Sequence, residues 1–214
     1  DESFQDFKRL GDWEYALGVN FMNQHLCHMT VTGSRKYDYP DVFTSIAPWW
    51  DQYHTQNDYF GRLSLVLSQG EQLNDILILE PTTTLWLYGT YSDEGNLMEI
   101  GQTFQSFITK LEKNQLEYDL GSEDIIKDCG LVLGKKFRVG ERRYTTVVLP
   151  PAMENLESPT FELLKSFVQR GGRLVAYSRP TMLDGEENEE LKTFWQNQAD
   201  NLLFMNQPSE LLAL

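Results

Sequence analysis

Apolar residues recur at helical spacing near the start of the chain, where Phe4, Phe7, Leu10, Trp13 and Leu17 fall three or four positions apart. That period predicts an amphipathic helix over residues 4–17, which Gly18 ends. The next run, VNFMNQHL over residues 19–26, is short, apolar and preceded by glycine. It predicts a buried strand that delivers Asn20, Asn23, Gln24 and His25. Trp50, Tyr53, Phe60, Leu63, Val66 and Leu67 return to mostly helical spacing, which predicts a second helix over about residues 49–69 with Gly70 as its stop.

From Asp75 onward the pattern changes to continuous apolar runs separated by helical ones. DILILEP ends in Glu80-Pro81 and reads as a central parallel strand buried on both faces. Met98, Ile100, Phe104, Phe107, Ile108 and Leu111 predict the helix after it, and LEYDLGS a second strand, leaving Asp119, Ser122 and Glu123 in a loop. KFRVGERRYTTVVLP divides into a short strand, a glycine turn and a third parallel strand. Ser158-Pro159 then opens a helix, with serine expected at the cap and Phe161, Leu164, Phe167 and Val168 along its buried face. RLVAYS, ENEELKTFWQNQA and NLLFMN predict the fourth strand, a further helix and the fifth strand.

Strands alternating with helices over short connections imply a doubly wound α/β domain, because right-handed crossovers place helices on both faces of a parallel sheet. The expected strand order is 2-1-3-4-5, as in flavodoxin-like and class I amidotransferase-like folds. Ligands of such sheets sit beyond the carboxyl ends of the strands, which here carry Glu80, Pro81, Ser122, Pro150, Pro151, Ser178 and Arg179. Helix, strand, loop and helix over residues 1–70 read instead as a closing β/α unit whose other units lie upstream, so a boundary is expected between residues 1–70 and 71–214. A start as dense as DESFQDFKRLGDWEYALG also reads as the interior of a domain, which predicts a chain taken from something longer.

Composition narrows the partners. The formal net charge of -14 works against binding nucleic acid or an anionic membrane surface, since both need clustered positive charge. No apolar run approaches the roughly 18 residues of a membrane helix. Cys27 and Cys129 form no C-x-x-C pair, and His25 and His28 lack a third ligand nearby, so neither supports a metal site. The stretch after DILILEP, TTTLWLYGT, reads as a loop without a glycine-rich phosphate cradle, and G-x-S-x-G is absent, so no cofactor or strand-end nucleophile is expected. A flavodoxin-like cofactor domain stays open only as a weaker alternative. The carboxylates of DGEENEE, residues 184–190, read as a solvated loop. Glu80, which ends a buried strand, could bond backbone at a domain interface or face a ligand.

The segment GSRKYDYPDVFTSIAPWWDQYH, residues 33–54, carries the most specific chemistry. Sugar rings present apolar faces that stack on Trp and Tyr, and hydroxyls that pair with Asn, His, Arg, Lys and Asp. Asn20, His25, Arg35, Lys36, Asp38, Trp49, Trp50 and Tyr53 match that set. The alternative is that Trp49 and Trp50 pack against the neighbouring helix as ordinary core.

The run LGVN....H.......G.RK.DYP......PWW..Y....DYFGRLS..LSQG....DILILEP, from Leu17 to Pro81, resembles large bacterial glycoside hydrolases of the α-L-rhamnosidase-type family 106 and its relatives. The resemblance implies the end of a TIM-type catalytic barrel over residues 1–70, followed by a glutamine-amidotransferase-like domain without amidotransferase activity. It implies a glycosidase role in carbohydrate breakdown, a periplasmic or secreted location, a carbohydrate substrate, and the rest of the parent enzyme as partner, with a homo-oligomer possible. Substrate contacts are expected at Asn20, His25, Arg35, Lys36, Trp50 and Tyr53. Glycoside hydrolysis needs two carboxylates flanking the bond. In the related barrels they lie upstream of the segment matched here, so no catalytic residue is assigned and the chain alone is expected to be inactive. The alternative is a non-catalytic carbohydrate-binding, interdomain or oligomerisation module.

Overall fold

Ser3 starts the first helix through a reciprocal cap, its hydroxyl accepting from the Asp6 N–H while the Asp6 carboxylate accepts from the Ser3 N–H at 3.0 Å. The computed structural model describes residues 3–24, 30, 32–37, 43–89, 94–196 and 199–213; for Arg35, Lys36, Glu94, Leu212 and Ala213 it describes the backbone alone. The chain divides into two units, Asp1–Gln72 and Leu73–Leu214.

In the first unit, α1 (Phe4–Ala16) packs on α2 (Tyr53–Leu67). Gly11 is where the two helices meet: a Cβ there would lie 2.3 Å from the Phe60 ring, so only glycine leaves room for it. Tyr15 stacks on Phe60 with ring centroids 5.8 Å apart, and the Tyr59 hydroxyl donates to Asp12 at 2.6 Å. Phe4, Phe7, Phe43, Trp49 and Tyr53 form an aromatic cluster of edge-on and tilted contacts, with centroids 5.1 to 6.1 Å apart. The strand expected over residues 19–26 does not form within residues 19–24. Gly18 turns the chain at φ +101°, and the Val19 N–H donates to Glu14 O at the end of α1 rather than to a ladder. The remaining two residues of that expected strand lie outside the described residues.

The second unit is an α/β domain. Its parallel sheet contains β1 (Ile76–Leu79), β2 (Asp119–Gly121), β3 (Thr146–Leu149), β4 (Arg173–Ala176) and β5 (Leu202–Phe204), in the spatial order 2-1-3-4-5. Alternate residues of the buried strands feed two cores, as the pleat requires. Leu77, Leu79, Val147, Leu149 and Leu174 pack on one face with Ile126 of α5 (Glu123–Cys129), Phe161, Leu164 and Phe167 of α6 (Ser158–Gln169), and Leu191 and Phe194 of α7 (Glu189–Phe194). Ile78, Val148 and Val175 pack on the other with Phe107, Ile108 and Leu111 of α4 (Glu94–Lys113).

Three local expectations change. Residues after β1, expected as a loop, form α3 (Thr82–Leu87), whose N-cap is Pro81. Glu123, expected in a loop, is the first residue of α5. The cap of α6 is Glu157 rather than Ser158; the Ser158 N–H and hydroxyl are both spent on the Asp184 carboxylate, the former at 2.9 Å. Asp184 belongs to the expected solvated loop, which is largely exposed and turns a short hairpin of Met182–Leu183 on Glu186–Glu187.

Candidate functional site

At the point where the strand order reverses, between β1 and β3, a doubly wound sheet offers its ligand crevice. Here the chain's own side chains engage backbone groups beyond β3. Thr84 of α3 is fully buried, and its hydroxyl oxygen accepts the N–H groups of Glu154 and Asn155, each at 3.1 Å. These are the backbone donors beyond β3 that a bound anion would otherwise meet. Tyr88 donates to the Glu154 carboxylate at 2.5 Å, and Ser178 to Pro150 O at 2.6 Å. Ala152 bends the chain beyond β3 at φ +61°. In some α/β enzymes such a bend mounts a nucleophile, whereas this one carries a methyl group. The Glu80 N–H donates to Gly121 O at 3.0 Å.

Glu123 is the one buried carboxyl among the described residues. It accepts from the Thr83 hydroxyl at 2.7 Å and from the Glu157 N–H at 2.8 Å, tying α3 and the start of α6 to α5. Burial pushes its pKa above the ordinary glutamate value, against the opposing pull of those two donors, and the nearby Glu157 charge adds to the rise. Thr160 also stabilises the charged form electrostatically, yet its fully buried hydroxyl makes no hydrogen bond of ordinary geometry. The pattern is that of a structural tie, not of a group facing a ligand.

The first unit holds a cleft of about 540 Å³ beside α2. Four amides line it: Asn20, Asn23 and Gln24 from the segment after α1, and Asn57 from α2. Ser64 and Ser68 extend the same helix face. Its apolar lining comes from Phe21, Met22, Phe60 and Leu65. Tyr53, at the start of α2, donates to Gln24 Oε1 at 2.9 Å, and among the described residues the Gln24 NH2 group has only a long contact to the Met22 thioether at 3.8 Å. The side chains of Asn20, Asn23 and Asn57 make no hydrogen bond among the described residues. Each amide therefore keeps a donor and an acceptor for a solute.

Of the expected contacts, Asn20 and Tyr53 line this cleft, and Trp50 stacks on Tyr53 with centroids 5.5 Å apart and ring planes at 21°. Trp50 stays 37% exposed while it stacks on the first residue of α2, and Trp49 sits half-buried inside the aromatic cluster. His25 and Asp38 lie outside the described residues. Arg35 and Lys36 fall in the 3-10 turn Gly33–Tyr37, described as backbone only. Sequence reasoning did not select Asn57, Ser64 or Ser68, although with Tyr53 they recur at steps of four, seven and four along one helix face.

The second unit thus defines a mixed α/β protein with a five-stranded parallel sheet flanked by helices. No family model matches the chain, and no curated protein matches it. Among solved structures it is similar to the rhamnosidase from Novosphingobium sp. PP1Y, with a TM-score of 0.62 and 16% identity. That match covers 99% of this chain and 21% of the other, so the chain spans about a fifth of that enzyme's length. At this identity the likeness is one of fold. No helix among the described residues is long and apolar enough to cross a membrane.

Proposed function

We propose that this chain serves in carbohydrate degradation as a non-catalytic part of a glycoside hydrolase, with the cleft beside α2 contributing sugar contacts. The observation that carries the reading is that Asn20, Asn23, Gln24 and Asn57 line one cleft together with apolar side chains, one of its lining residues, Tyr53, carrying the Trp50 stack. Amides that can both donate and accept suit hydroxyls, which do the same, and the apolar atoms suit the faces of a sugar ring. Fold likeness to a rhamnosidase supports the same direction, since nearly all of this chain aligns with a fraction of that enzyme.

Residues 1–70 would then stand as the end of a β/α barrel, and residues 71–214 as a supporting amidotransferase-like domain. Among the described residues Glu123 has no second buried carboxyl to pair with, as glycoside hydrolysis requires, and its two oxygens are already engaged. The catalytic acid and base would come from elsewhere in the parent enzyme.

Calorimetry of this chain with a panel of methyl glycosides tests the reading, with aryl-glycoside hydrolysis measured in parallel. The expected result is saturable binding without turnover, weakened by Trp50→Ala and Tyr53→Phe. Turnover by the chain alone, or sugar binding indifferent to both substitutions, would overturn it.

A specific observation favours the second reading, an interdomain or oligomerisation module. Leu10, Trp13 and Leu17 lie three and four residues apart at the end of α1, and about half of each is exposed. If no glycoside binds, that apolar stripe becomes the better guide to what the first unit does.

A further inference from the structure

The chain is 23% charged, yet none of the twelve described residues lining the cleft beside α2 is Asp, Glu, Lys, Arg or His. Building on the sugar-binding reading, we infer that the cleft accepts an uncharged sugar ring and discriminates against uronic acids, sulfated sugars and protonated amino sugars. The polar groups it presents are the amides of Asn20, Asn23, Gln24 and Asn57 and the hydroxyls of Tyr53, Ser64 and Ser68.

Two features make the lining selective rather than merely polar. A carboxylate or sulfate entering the cleft gives up hydration and meets dipoles but, among the described lining residues, no cation to offset that loss, which is costly. A neutral hydroxyl gives up less and finds a donor and an acceptor on each free amide. The hydroxyls already have geometry imposed on them. Ser64 is paired with Tyr15 at 2.5 Å, and Tyr53 donates to Gln24, so the Gln24 NH2 is turned to act as a donor. Phe21 is 76% exposed and lies among these amides, giving a ring face or a sugar methyl group an apolar surface to cover.

The test compares methyl α-L-rhamnoside and methyl β-D-galactoside with methyl galacturonoside and methyl glucosaminide by calorimetry on the 214-residue chain, each at low and high salt. Neutral glycosides are expected to bind at least about tenfold tighter than charged ones, a difference of about 1.4 kcal/mol. Their affinity should not change with salt, because no ion pair is screened. Asn57→Ala, on an exposed helix position, should weaken neutral binding about three- to tenfold. Asn57→Lys should raise uronoside affinity relative to neutral glycoside by a similar factor and make it salt-dependent. Equal or tighter binding of the uronoside by the unaltered chain would overturn the neutral-ring inference and leave the sugar-binding reading standing. Failure of every glycoside, charged or neutral, would overturn both.

Discussion

The hydroxyl of Tyr53 donates to Gln24 Oε1 at 2.9 Å across 29 residues of sequence, joining the start of α2 to the segment that follows α1. This single bond fixes which end of the Gln24 amide faces the cleft. It also holds the ring on which Trp50 stacks. The shape of the site therefore depends on one phenol.

Tyr53→Phe should keep the ring contacts and lose the hydrogen bond. The expected cost is about 1 kcal/mol in stability. Glycoside affinity should fall about three- to tenfold as Gln24 becomes free to rotate. Denaturant unfolding and calorimetry on the same variant separate the two effects.

Gly11→Ala would ordinarily strengthen an exposed helix by up to about 1 kcal/mol. Here the new Cβ would lie 2.3 Å from the Phe60 ring, so α1 and α2 must separate or the ring must move. A net loss of about 1–3 kcal/mol is expected. Loss of the Tyr15–Phe60 stack should appear as a change in near-ultraviolet dichroism.

Thr84→Val keeps the volume of the buried side chain and removes the oxygen that accepts from Glu154 and Asn155. Two buried N–H groups then lack a partner. About 2–4 kcal/mol of stability should be lost. Thr84→Ser, which restores the acceptor, should recover most of it.

Glu123 gives a pH dependence of defined sign. Burial raises its pKa in the folded state above the ordinary value of 4.5, so the native state holds the proton more tightly than the unfolded chain. Its contribution to stability is fully present below pH 4.5 and is lost as pH rises through the folded-state value. Glu123→Gln, which can accept from Thr83 or the Glu157 N–H and donate to Thr160, should flatten that segment of the stability profile. Glu123→Ala should instead destabilise at every pH by orphaning both donors. Urea unfolding across the acidic range reads both outcomes.

The five-stranded sheet was legible because its signals are local and repeated. DILILEP, TTVVLP and RLVAYS are apolar on both faces, as only central parallel strands are, and the helical periods between them force crossovers. What escaped was set by partners distant in sequence. Ser158 looks like a helix cap until Asp184 takes both its N–H and its hydroxyl. The threonines after β1 have turn-like composition, yet Thr83 and Thr84 gain helical placement by bonding Glu123 and the chain beyond β3. In the first unit, the run over residues 19–26 has strand composition, but within residues 19–24 no ladder forms. The aromatic segment singled out Trp50 and Tyr53, which stack on each other, whereas the polar face of α2 was hidden among ordinary helix residues.

The most direct test of the sugar-binding cleft is a titration of the 15N-labelled chain with methyl α-L-rhamnoside, following the side-chain NH2 signals of Asn20, Asn23, Gln24 and Asn57. The account predicts saturable shifts at these four amides and at the Trp50 indole, with the Asn155 amide of the sheet domain unmoved. Saturable shifts confined to the sheet domain, or none at any of the four cleft amides at saturating neutral glycosides, would contradict it.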